Sequence, residues 1–138
     1  MLKYIEQKTG HADNGPAWVA RVRASKSGRT IYFNGKALKR AHLPSANHFD
    51  MATREAYWVS GIKKDGLDRH WAGSGKVAIE AGVVAEYLRV TGSPELDLTR
   101  FEVIEDLEPT DPSIFYDQEN TVLDAGASRR RRRGPARI

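Results

Sequence analysis

The sequence predicts a mainly β fold. The expected form is a small antiparallel, SH3-like barrel or bent sheet of about six short strands, with one helix near residues 80–91. Three observations point there. Residues 18–24 alternate with a period of two. Asn34-Gly35 and Asp65-Gly66 are each flanked by apolar-containing runs, the pattern of two-residue hairpin turns whose central positions take positive φ. Only the window 78–91 carries a clear helical stripe. Short strands with tight turns favour a barrel or bent sheet; an open antiparallel sheet with the helix across one face is the alternative.

Taken in order, residues 2–8 form a first strand and residues 9–16 (TGHADNGP) a loop rich in turn formers. In the next strand Trp18, Ala20, Val22 and Ala24 share one face, while Val19, Arg21 and Arg23 share the other. Ser25 to Gly28 is a turn, 29–33 a strand, and Asn34-Gly35 returns the chain into 36–40. A two-residue turn there sets Phe33 opposite Lys36 and Ile31 opposite Leu38. A four-residue loop at 25–28 sets Val22 opposite Ile31 and Arg21 opposite Tyr32. The three strands then agree on a core face of Ala20, Val22, Ile31, Phe33 and Leu38. Arg21, Arg23, Thr30, Tyr32 and Lys39 lie on the opposite face, expected to be exposed.

Residues 41–53 show no sustained period and read as a loop with Leu43, Phe49 or Met51 packed beneath it. Residues 55–76 read as a second hairpin, with arms 57–62 and 67–72 about Asp65-Gly66. In the helix, Val84 and Leu88, and Val83 and Tyr87, are four apart, and Gly92 suits the position after its end. Gly82 weakens its first turn. Ser93-Pro94 and Asp111-Pro112 are cap-and-proline pairs, each opening a short turn. Residues 101–104 are a last strand. The expected core joins Trp18, Val22, Ile31, Phe33, Leu38, Val59, Val84 and Leu88. One domain over 1–120 and a disordered basic tail over 121–138 complete the organisation.

Charge is segregated along the chain. Residues 1–94 hold 15 Lys and Arg against 8 Asp and Glu; residues 95–128 hold 1 against 10; residues 129–138 hold six arginines and no acid. Without its tail the protein is slightly acidic. Such layouts speak to partners and solubility, not to fold. The absence of cysteine excludes disulfides, thiolate metal sites and a cysteine nucleophile. No run has the length of a signal peptide or membrane span, so a cytoplasmic protein without membrane contact is expected.

The stretches SGRTIYFNGKALKR and YWVSGIKKDGLDRHWAGSG together resemble a family of small uncharacterised bacterial proteins. The resemblance covers residues 1 to about 120 and leaves the arginine tail outside. It implies no activity, cofactor or binding residue.

The candidate chemistry is binding rather than catalysis. Arg21, Arg23, Tyr32 and Lys39 place cations beside an aromatic ring on a sheet face. Single-stranded nucleic acids suit such a surface, because phosphates need cations and unstacked bases need flat apolar partners. An ordinary solvated sheet face is the plainer reading. Lys63, Lys64, Arg69 and His70 cluster near the Asp65-Gly66 turn as a second phosphate contact, or simply a charged tip with Asp68 facing Lys63. The run Arg129, Arg130, Arg131, Arg132 and Arg133 is the strongest compositional signal for polyanion binding; a solubilising extension is its rival.

Gly73-Ser74-Gly75-Lys76 is not a nucleotide loop, since Val77 stands where Ser or Thr is required. His11, His42, His48 and His70 have no metal-ligand spacing. No cofactor is expected. RNA or another single-stranded nucleic acid is the expected partner of a non-enzymatic module. The alternatives are a protein partner bound through the 55–76 hairpin, and a small metal-independent nuclease using His70 beside Arg69. The acidic block over 95–124 is expected either to mask the basic face or to complete the fold.

Overall fold

The computed structural model describes residues 1–8, 15–66, 68–69 and 75–116. Among these residues nine strands run in chain order: β1 Leu2–Gln7, β2 Ala17–Arg21, β3 Arg23–Ala24, β4 Thr30–Phe33, β5 Lys36–Leu43, β6 Ala46–Asp50, β7 Ala56–Ser60, β8 Val77–Glu80 and β9 Phe101–Ile104. A 3₁₀ turn at Ala81–Val83 leads into helix α1, Val84–Thr91, and a second 3₁₀ turn covers Pro112–Phe115. All strands belong to one sheet of order β3-β4-β5-β6-β7-β1-β2-β8-β9. Only Val22 separates β2 from β3. One nearly continuous segment therefore lies at the edge, beside β4, and also deep in the sheet, between β1 and β8. The sheet must curl to allow this, and it forms a half-barrel.

The expectation of about six antiparallel strands is corrected to nine in a mixed sheet. β8 runs parallel to both β2 and β9. Tight turns demand antiparallel neighbours, but β8 reaches β9 through α1, and such a crossover yields parallel strands.

The β4–β5 ladder has the register that Asn34-Gly35 dictates, with Phe33 opposite Lys36 and Ile31 opposite Leu38. Both turn residues take positive φ, 51° and 75°. Across β3 and β4 the partners are Arg23 with Tyr32 and Ala24 with Ile31, two residues from expectation. A slip of two keeps every side chain on its face.

The inner face of the curl gathers Ile5, Ala20, Val22, Ile31, Phe33, Leu38, Tyr57 and Val59, with Trp18 against them. The outer face packs Tyr4, Val19, Val77, Ile79 and Phe101 beneath Val83 and Tyr87, flanked by Val84 and Leu88. The single expected core thus divides in two, because β1, β2 and β8 are covered on both faces. A third cluster joins Tyr32, Ala37 and Met51, with Phe49 and Phe115 beside it.

Three further expectations are corrected. Residues 41–53 are not a loop, since they hold the end of β5 and all of β6. Residues 55–76 do not show the expected hairpin among the described residues: β7 pairs with β1 and β6 on its two sides, no strand occurs at 61–66 or 68–69, and the rest of the expected second arm lies outside the described residues. Asp65-Gly66 does turn, with the Gly66 N–H donating to the Lys63 carbonyl at 3.0 Å, but only Gly66 takes positive φ. Asp68 then accepts from the Lys63 N–H at 3.0 Å and closes a loop rather than a ladder. The helix begins at Val84, behind a strand and a 3₁₀ turn. It ends at Gly92, left-handed at φ 68°.

Candidate nucleic-acid interface

The structure separates the residues that the sequence groups. Tyr32 is buried at 3% exposure and stacked on Phe115, ring centroids 6.2 Å apart. It is not the exposed ring that the sequence reading requires. Thr30 is buried as well. Arg23 is exposed beside Tyr32 on the edge strand, and Lys39 is half-buried opposite Thr30. Arg21 is exposed but turned to α1, where its Nη2 donates to Glu86 Oε1 at 2.9 Å. Lys63 and Lys64 are exposed. His70 and Arg129, Arg130, Arg131, Arg132 and Arg133 lie outside the described residues.

Arg69 is no phosphate contact at a hairpin tip. It is 5% exposed, and its Nη2 donates to the Gly15 carbonyl at 3.1 Å. Its Nη1 lies 3.8 Å from Glu6 Oε1. Glu6 also accepts from the Tyr4 hydroxyl at 2.5 Å and from Lys8 Nζ at 3.1 Å. Burial, then the Glu6 hydrogen bond, pushes the Tyr4 hydroxyl far above its ordinary range. This is a buried structural cation, whose carboxylate partner offsets its desolvation.

A ring flanked by cations does exist on the sheet, one strand further on. Phe49 of β6 stands opposite Lys39 of β5. The Arg54 guanidinium lies over the Phe49 ring, 5.5 Å from its centroid, a cation–π distance. Arg54 is exposed and held at φ 69°, a left-handed conformation that costs an arginine energy and aims its side chain back over β6. The surroundings share the sign. Residues 17–49 contain seven Lys and Arg and not one Asp or Glu. They build β2 and β3 and all of β4 and β5, and reach through β6 to Phe49, so that the β3-to-β6 end of the sheet is cationic.

Sequence reasoning missed Phe49 and Arg54. Its signal lay in the acid-free window, not in the alternation, because β6 turns polar groups inward. His48 and Asp50 are buried. Asp50 Oδ1 accepts from the Ala52 N–H, and His48 Nδ1 meets Asn47 Oδ1, each at 2.8 Å. Burial, aided by the charges of Arg40 and Lys3, lowers the His48 pKa to about 4 and keeps the ring neutral.

The opposite pole is acidic. Residues 101–116 carry five Asp and Glu and no Lys or Arg. From 105 onward they form a strap from β9 back to the β4–β5 turn. Asp106 Oδ1 accepts from the Gly82 N–H at 2.7 Å, and Glu80 Oε2 from the Leu107 N–H at 2.7 Å. Thr110 Oγ1 accepts from the Gly35 N–H at 2.8 Å, and Asp111 caps the last 3₁₀ turn through the Ser113 N–H. Phe115 then covers Tyr32. The strap thus closes over the sheet and completes the fold. Between it and β2–β4 lies a cleft of about 670 Å³, lined among others by Arg21, Arg23, Tyr32, Phe33, Asp106 and Glu108.

Among the described residues no group of three His, Asp or Glu is placed to hold a metal ion, and no helix is long and apolar enough to cross a membrane. Comparison with protein-family models, curated proteins and solved structures finds no match.

Proposed function

We propose that the protein is a non-enzymatic nucleic-acid-binding module that takes RNA or another single strand on the outer face of β5–β6. The Lys39–Phe49–Arg54 cluster carries this reading. It puts two cations beside one ring on a surface whose neighbouring strands contain no acid. Cations hold the phosphates, while a ring and a guanidinium plane offer stacking surfaces to unpaired bases. A flexible single strand can follow a curled sheet. A duplex groove is better matched by a helix or a β-ribbon, and among the described residues neither projects from this face. Arg23, opposite Tyr32, adds a cation on the same face, and the arginine run 129–133 supplies further sequence-independent attraction. Electrophoretic mobility shifts at physiological salt, with labelled RNA, single-stranded DNA and duplex DNA, test this. Retardation of single strands at micromolar protein is expected, and no retardation of any nucleic acid refutes it.

A further inference from the structure

We propose that the cleft beneath the strap receives one unpaired nucleotide with an amino-bearing base, the base inside and its phosphate on Arg23. The inference rests on the nucleic-acid reading for its source, a base of a bound strand rather than a free nucleotide. A volume of about 670 Å³ is in the range of small-ligand sites. Its walls are largely apolar, formed by Val22, Phe33, Val83, Leu107 and Pro109, with Tyr32 beside them. A flat heteroaromatic base suits such walls, and the chain passes the cleft where the cationic strands meet the strap.

The polar groups differ in what they have left to offer. Arg21 is engaged by Glu86. The Met1 ammonium at the cleft donates to the Val22 carbonyl at 2.9 Å; Arg23 is exposed there and forms no salt bridge among the described residues, so it is the side-chain cation available to a phosphate. Both Glu80 oxygens are taken, by the N–H groups of Arg21 at 2.8 Å and Leu107 at 2.7 Å. Asp106 is held by Gly82. Glu108 is exposed on the strap and accepts no hydrogen bond within the described chain. A free carboxylate accepts from the exocyclic amine of cytosine, whereas uracil and thymine put a carbonyl oxygen at that position, which repels it, and leave only the ring N3–H as a donor. The cleft therefore selects by base edge, whereas the Phe49 surface only stacks.

The test titrates the full chain with cytidine monophosphate, uridine monophosphate and cytidine. Amide shifts and calorimetry follow binding, and oligocytidylate and oligouridylate are run in parallel by mobility shift. Cytidine monophosphate should move the amides of Arg23, Gly82 and Leu107. Uridine monophosphate and cytidine should each bind about tenfold more weakly, the loss expected for one charge-assisted contact. Arg23→Ala should reduce the monophosphate to the level of cytidine, and Glu108→Gln should abolish the preference over uridine. Both residues are exposed, so neither change threatens folding. Equal binding of the two monophosphates, or no shift at these amides, overturns the inference. Oligonucleotides bound without cleft shifts overturn it too and leave the proposed function standing. Cleft binding of monophosphate with no oligonucleotide retardation supports the pocket but overturns the strand as its source, and the proposed function with it.

Discussion

Gly82 and Asp106 hold each other in place. The Gly82 N–H donates to Asp106 Oδ1 at 2.7 Å. A Cβ on residue 82 would lie 3.0 Å from Asp106 Cγ, and closer still to Oδ2. Only glycine lets the carboxylate sit against the 3₁₀ turn and start the strap. Gly82→Ala should push the carboxylate away and cost about 1–2 kcal/mol, the scale of a lost charged hydrogen bond. In an Asp106→Ala background the same change should be close to neutral. Denaturant unfolding of the four proteins gives the coupling, expected at about 1 kcal/mol; additive effects would show that the contact does not anchor the strap.

The two faces of the sheet should respond differently to truncation. Phe33 is 3% exposed and meets Trp18 edge-on, ring centroids 5.2 Å apart. Phe33→Ala should cost about 3–5 kcal/mol. Leu88 is only half-buried at the rim of the outer cluster, so Leu88→Ala should cost about 1–2 kcal/mol, less than the usual range for a fully buried leucine. Equal losses in chemical denaturation would contradict the division of the core.

His48 gives stability a predictable pH dependence. Folding lowers its pKa from 6.5 to about 4, so between these values the unfolded chain binds a proton that the folded chain refuses. Its contribution is fully present above pH 6.5 and is lost as pH falls toward 4. The slope approaches about 1.4 kcal/mol per pH unit, with a total on the order of 1–3 kcal/mol. The charges facing it, Arg40 and Lys3, act in the same direction. Unfolding free energies of the wild type and His48→Gln between pH 7 and 4 should differ in slope, whatever their absolute values; parallel curves would count against a buried neutral imidazole.

The arginine run should add affinity without adding selectivity. Deleting residues 129–138 removes six cations. Each lost phosphate contact lowers the log–log salt slope by roughly 0.7 for single strands. Filter binding across a salt series should show a shallower slope and an unchanged ranking of sequences. An unchanged slope would mean that the tail makes no phosphate contact.

What the sequence made legible follows from where its signals are local. Asn34-Gly35 specifies its own turn, and that turn sets the β4–β5 register, so this part was readable residue by residue. The stripe of Val83, Val84, Tyr87 and Leu88 marked the helix for the same reason. β6 escaped notice because His48 and Asp50 point inward, which inverts the apolar alternation that a strand is read from. Phe49 was lost with it, and Tyr32 took its place in the predicted surface. The burial of Tyr32 depends on Phe115, more than 80 residues away in the chain, and no local pattern announces such a contact. The parallel pairing of β2 with β8 is likewise long-range. Asp65-Gly66 formed its turn but not a hairpin, because β7 finds its partners in β1 and β6.

The most direct test of the central claim is the salt dependence of oligonucleotide affinity for the wild type and for Lys39→Ala, Phe49→Ala and Arg54→Ala. All three side chains lie on the outer face and are half-buried or exposed. Lys39→Ala and Arg54→Ala should each weaken single-strand binding and lower the log–log slope by roughly 0.7. Phe49→Ala should cost about 1–3 kcal/mol of affinity through lost stacking and leave the slope unchanged. If all three variants keep the affinity and the slope of the wild type, the strand does not run across β5–β6 and the proposed interface is wrong.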